Sequence, residues 1–94
     1  MTTLTDIKKR YPRHTVEQVD KRQCFYVYTG HNNAIALSYD TIVGCYANDT
    51  FFLTTEKYSV TTTQQCNRMA RDFHTVKRVD SDELQLIVSA NIHF

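Results

Sequence analysis

QCFYVYTGHNNAIALSYDTIVGCYANDTFFLT, residues 23–54, decides the fold. QCFYVYT at 23–29 carries aromatic and β-branched side chains at odd and even positions alike, the composition of a strand covered on both faces. GHNN at 30–33 is turn chemistry, and AIALSY at 34–39 returns as the second arm of a hairpin. TIVGCY at 41–46 and TFFLT at 50–54 form another hairpin around Asn48 and Asp49, which tolerate the left-handed backbone of a tight reversal. Gly44, inside the first arm, marks a bulge. Two hairpins in succession predict an antiparallel sheet.

Upstream, HTVEQV at 14–19 alternates poorly and reads as an edge strand. Before it, Leu4, Ile7, Lys8 and Tyr11 fall at helical spacing, Thr3 or Thr5 caps the start and Pro12 blocks continuation. That predicts a short helix over 4–11 with Lys8, Lys9 and Arg10 facing water. Downstream, KYSVT at 57–61 supplies a further short strand, and a main helix follows over about 62–73. Its apolar stripe is Cys66, Met69, Ala70 and Phe73, its start is capped by Thr61 with Gln64 or Thr62 with Gln65, and Arg68, Arg71 and Asp72 face solvent. HTVKRV at 74–79 reads as a linking strand and VDSDE as a charged turn. Leu84, Leu86, Val88, Ala90, Ile92 and Phe94 then alternate with polar residues, which predicts a half-buried strand running to residue 94. The whole is an α+β domain, a largely antiparallel sheet of five to six strands with one main helix and a short N-terminal helix packed on it.

Bulk properties bound the function. A chain of 94 residues can bury roughly 60 to 65% of its unfolded surface, enough for one core and one domain over 1–94. Hydrophobic residues at 41% and charged residues at 22% fit a folded globular chain. No apolar run approaches the roughly 20 residues of a membrane span, and the N-terminus lacks a secretory h-region. A cytoplasmic protein is expected. Cys24, Cys45 and Cys66 are odd in number and widely spaced, which argues for buried small hydrophobes in a reducing compartment and against disulfides. At a net charge of +1, attraction to nucleic acid has to come from a local patch.

The stretch SYDTIVGCYANDTFFLTTEKYSVTTTQQCNRMARDF at 38–73 resembles a family of small phage-encoded domains of unknown function. The matching residues are Ser38, Tyr39, Thr41, Tyr58, Ser59, Thr61 and Thr62, a Ser-Tyr-x-Thr segment followed by a Tyr-Ser-x-Thr-Thr run that opens a helix. Where that run continues with Ser, Lys and His in the family, this chain has Thr63, Gln64 and Gln65. The resemblance implies a phage-type protein working inside a host cell, where such proteins often bind and block host machinery, defence nucleases included.

Residue constellations give two seats for binding and none for catalysis. Tyrosine anchors protein interfaces, and Tyr28, Tyr39, Tyr46 and Tyr58 are the candidate contacts for a host protein, against the plain alternative that several fill the core. Lys8, Lys9, Arg10, Arg13, Lys21 and Arg22 form one basic group and Arg68, Arg71, Lys77 and Arg78 another; brought together with Tyr11 or Tyr26 nearby they would hold a nucleic-acid backbone and stack a base, against the plain alternative of two solvated faces. Ser59, Thr61, Thr62 and Thr63 read first as helix caps and second as an anion site. Asp80, Asp82 and Glu83 read as solvated turn residues. No histidine and cysteine stand at the close spacing of a zinc set, no glycine-rich phosphate loop is present, and no thiol is paired in sequence with a base. The expectation is a non-enzymatic binding protein without metal or cofactor, docking on a host protein and inhibiting a defence system, with nucleic-acid binding as the alternative. A small enzyme of unknown reaction ranks last. A terminal strand at 84–94 would also offer an edge for pairing with a second copy.

Overall fold

A computed structural model describes residues 3–30 and 32–93. In chain order its elements are α1 (Leu4–Arg10), β1 (Thr15–Asp20), β2 (Cys24–Gly30), β3 (Asn33–Ser38), β4 (Thr41–Ala47), β5 (Thr50–Thr54), α2 (Val60–Ala70), β6 (Val76–Val79) and α3 (Ser81–Asn91). Among the described residues the strands form one sheet in the order β1-β2-β3-β4-β5-β6. Neighbours pair antiparallel as far as β5, and β6 then lies parallel to β5 because α2 carries the chain back across the sheet.

Period-two alternation sends each strand's side chains to two covered faces, as the sequence of β2 predicts. Phe25, Val27, Ile35, Leu37, Cys45 and Ala47 pack beneath α1 and α3, against Ile7, Leu84 and Ile92. Cys24, Tyr26, Ala36, Val43, Phe51 and Leu53 face α2 and meet Cys66 and Met69. Two positions break the alternation usefully. The register of β3 against β4 slips between Ala36 and Leu37, leaving Val43 as an extra residue beside Gly44, so the expected bulge is present. Asn48 and Asp49 take φ of 53° and 59°, the left-handed pair of a two-residue hairpin turn between Ala47 and Thr50.

Each helix begins on its own chemistry. In α1 the Thr3 side chain accepts from the Asp6 N–H while the Asp6 carboxylate accepts from the Thr3 N–H, a full capping box that holds the Asp6 carboxyl below its ordinary range. Helix α2 starts earlier than expected, because Ser59 and not Thr61 or Thr62 accepts from the Thr62 N–H; residues 57–61 therefore form a loop and a helix start, not a strand. It also ends earlier, at Ala70, so Phe73 lies beyond the helix.

The largest correction is at the C-terminus, where the expected strand over 84–94 is helix α3 as far as Asn91, with Phe94 outside the described residues. VDSDE is not a turn but the start of that helix: Asp80 accepts from the Glu83 N–H at 2.8 Å, and Asp82 and Glu83 put negative charge at the positive end of the helix dipole. The buried residues Leu84 and Ile92, with Ile87 and Val88 between them, follow a helical stripe, while Leu86 of the expected strand face is 71% exposed. A second copy cannot pair with a strand that does not exist there. The fold therefore has two eleven-residue helices, one on each face, in place of one main helix. The GHNN turn is a tight reversal with Gly30 opposite Asn33, and its His31 lies outside the described residues.

Candidate functional site

Strand register lines up two rows of side chains on the α2 face. The first runs Thr15, Tyr28, Ala34, Tyr46, Phe51 and Val76 across all six strands; the second begins Glu17, Tyr26, Ala36 and Gly44. Small residues on β3 and β4 hollow the middle of this face. Tyr28 and Tyr46 stand on either side of Ala34, two strand spacings or about 10 Å apart at the backbone, which leaves a slot one side chain wide. Because α2 stops at Ala70, nothing from the helix lies over that slot. Phe73 closes its back instead, stacked on Phe51 at 4.3 Å and on Tyr46 at 5.1 Å between ring centroids, with Tyr26 edge-on to it at 6.0 Å. The resulting cavity has a volume of about 230 Å³ and is lined by Tyr26, Tyr28, Asn33, Ala34, Tyr46 and Phe73 among others.

The phenols at this site are held by carboxylates. Tyr26 donates to Asp72 at 2.9 Å and Tyr28 donates to Glu17 at 2.8 Å. Burial first, and then the neighbouring carboxylate, push both phenols up in pKa, that of Tyr28 to about 12. A second hollow on the far side of Phe73 is bounded by Asp49, Asp72 and His74.

Of the four expected contact tyrosines, the fold brings two together. Tyr28, 38% exposed, and Tyr46 share the slot. Tyr58, 49% exposed, borders a wider hollow of about 460 Å³ on the opposite side of the molecule, between α3 and the β3–β4 turn, where Asp40, Ser81, Gln85 and Ser89 mix with Leu84 and Val88. That hollow is larger, and Tyr58 is the one aromatic residue among its lining. Tyr39 occupies the β3–β4 turn at φ 56°, left-handed backbone held by its N–H donating to the Gln23 carbonyl at 2.7 Å. Tyr26, Phe73 and Asp72 complete the slot; the sequence offers Tyr26 only as a ring beside the basic groups, and reads Phe73 as helical core and Asp72 as solvent-facing. The available signal was parity, since Tyr26, Tyr28, Ala34, Ala36 and Tyr46 all fall on one face once the hairpin register is set.

The resemblance residues have a different task. Ser38 donates to Gln65 Oε1 at 2.6 Å and lies 3.0 Å from the Thr62 hydroxyl, Ser59 donates to that hydroxyl at 3.2 Å, and Gln65 Nε2 donates to the Arg22 carbonyl at 2.8 Å. Ser38, Thr62 and Gln65 are buried, and among the described residues every buried side-chain polar atom has a partner. This network bolts the N-terminal end of α2 to β3 and uses the hydroxyls as caps and struts.

The two basic groups lie mostly apart. Lys8, Lys9 and Arg10 are exposed on α1, with Arg13 just beyond it, on the face opposite α2; Arg10 pairs with Asp40 at 3.1 Å. Arg68 and Arg71 sit on and just after α2, and Arg78 reaches Asn67 of that helix at 3.4 Å. Lys77 alternates to the other face, opposite Phe52. The sheet separates Lys8, Lys9, Arg10 and Arg13 from Arg68, Arg71 and Arg78, whereas Arg22 of the first group donates to Gln64 of α2 at 2.9 Å, so only part of that group shares the α2 side. All three cysteines are buried, as expected; burial raises each thiol, Cys45 to about 11 and Cys24 to about 12. Among the described residues no three His, Cys, Asp or Glu side chains converge on a point, and no helix is long and apolar enough to cross a membrane.

Comparison with known proteins adds a family. A family model described as a family of unknown function (DUF8033) matches residues 5–85, which takes in the sheet, α2 and the slot. No curated protein and no solved structure matches the chain.

Proposed function

The chain belongs to this family of unknown function, and from that premise we propose that it is a binding module without chemistry of its own, docking on another protein through the aromatic slot. The observation that carries the reading is the pair Tyr28 and Tyr46, flanking Ala34 on a sheet face that α2 leaves open. Rings fixed by stacking and by carboxylate hydrogen bonds lose little freedom on contact, which is what an interface anchor needs. The buried, protonated thiols support an absence of nucleophilic chemistry. The partner implied by the resemblance to phage-type domains is a host protein, with inhibition of a defence component as its narrower form.

A photo-cross-linker tests the reading in cells that make the protein. With p-benzoylphenylalanine in place of Tyr46, one discrete adduct is expected, and it should disappear when Tyr28→Arg is added. The same label in place of Gln85, on α3 across the sheet, should give none. Equal adduct yield from the two positions overturns the proposal.

A further inference from the structure

We infer that the slot between Tyr28 and Tyr46 takes a cationic side chain, an arginine presented by a basic segment of the partner. The inference deepens the docking reading above and rests on it for the partner's being a protein.

Hydrogen-bond polarity is the first ground. A phenol next to a carboxylate has only one role open to its proton, so Tyr26 and Tyr28 spend their donors on Asp72 and Glu17. What both oxygens still present is lone pairs. The Tyr26 and Tyr28 oxygens thus meet the slot as acceptors. An arginine side chain is the complement, with five N–H donors and no acceptor.

Charge is the second ground. Neither the slot nor the adjoining hollow is lined by any lysine or arginine among the described residues, whereas Asp49 and Asp72 line the second and Glu17 reaches the first through Tyr28. None of these three carboxylates has an ion-pair partner among the described residues, in contrast to Asp20 and Asp40, which pair with Arg22 and Arg10. Ring faces add to the same potential, because the quadrupole of an aromatic ring presents its negative side to a cation above it. Shape is the third. Two aromatic residues about 10 Å apart at the backbone, with only an alanine between them, leave room for a flat group such as a guanidinium.

The test is a titration of the isotope-labelled full chain with acetyl-Gly-Arg-Gly-amide, followed through the aromatic ring resonances, against the same peptide carrying citrulline, which keeps the shape and loses the charge. Saturable shifts are expected at Tyr28, Tyr46 and Phe73 with the arginine peptide, at least about fivefold tighter than with citrulline. Glu17→Gln, a surface change, should narrow that ratio while the ring resonances stay dispersed. Equal affinity for the two peptides overturns the inference and leaves docking through the rings standing. No ring shift with either peptide, alongside a Tyr46-specific cross-link, also overturns it and spares the docking reading. Arginine-selective shifts without any cross-link would sink protein docking and keep the cation slot.

Discussion

The two ends of α2 are fastened to the same sheet by opposite means. At its start, buried Ser38, Thr62 and Gln65 form a set of hydrogen bonds that exposed Ser59 caps and that Gln65 extends to the Arg22 carbonyl. Past its finish, Phe73 leans on Tyr46 and on buried Phe51, and the Phe73 and Tyr46 rings stay partly open to water. A hydrogen-bonded network loses much when one member goes, since the remainder is left buried and unpaired, whereas a ring stack loses its contacts in proportion. The polar end therefore governs whether the helix stays docked, and the aromatic end is at liberty to meet something else.

That contrast can be broken first where it is strongest. Gln65→Ala removes a buried side chain that both accepts from Ser38 and donates to Arg22, and should cost about 3 kcal/mol in urea unfolding, with the cross-link weakened only through lost fold. Gly44→Ala comes next. A Cβ there would lie 2.7 Å from Cζ of Phe51, whose ring is buried under Phe73, so the change should cost about 2 kcal/mol and move the Phe51 and Phe73 ring resonances. Phe73→Ala should cost only about 1 to 2 kcal/mol yet abolish the Tyr46 adduct, because the half-buried ring supports the slot more than the fold.

Alkaline pH loosens the sheet face under α2 without mutation, through the slot phenols and through Cys24, which lies opposite Ser38. The folded phenols of Tyr26 and Tyr28 and the thiol of Cys24 all titrate above their ordinary values, so the stability they lend is complete below those values and declines as pH rises. Loss should begin above about pH 9 with Cys24 and continue through the folded value of Tyr28 near 12, read as a falling urea midpoint. Serine, threonine and glutamine at the polar end do not titrate there. The smallest effect belongs to Arg68→Glu with Arg71→Glu, expected within about 0.5 kcal/mol in stability and without change in the cross-link. A lost adduct in that variant, together with a gel shift that weakens steeply with salt, would move the seat of binding to the nucleic-acid alternative.

The meander was legible because its turns are encoded residue by residue. Asn48 and Asp49 could hardly occupy anything but a reversal, and Gly44 sits beside the bulge it announced. The C-terminal helix was misread for a physical reason: Leu84, Leu86, Val88, Ala90 and Ile92 satisfy a period of two, while Leu84, Ile87, Val88 and Ile92 satisfy a helical one. Periodicity alone cannot arbitrate between them, and Asp80 with Glu83 at capping distance was the deciding local signal. The slot was half visible. Tyr28 and Tyr46 stand out by type, but Phe73 looked like one more helical core residue until α2 ended three residues before it. No sequence rule sets where a helix stops when the next residues, Arg71 and Asp72, are both compatible with continuing it.

Phe73 and Asp72 reach their places only after α2 has crossed back over the meander, whereas the tyrosines they touch belong to strands paired with their neighbours in sequence. The recess is consequently assembled from segments far apart in the chain. Any occupant grips the return crossing as well as the sheet, so saturation by a partner at a hundred times its dissociation constant would reinforce the closed state by about 2.7 kcal/mol.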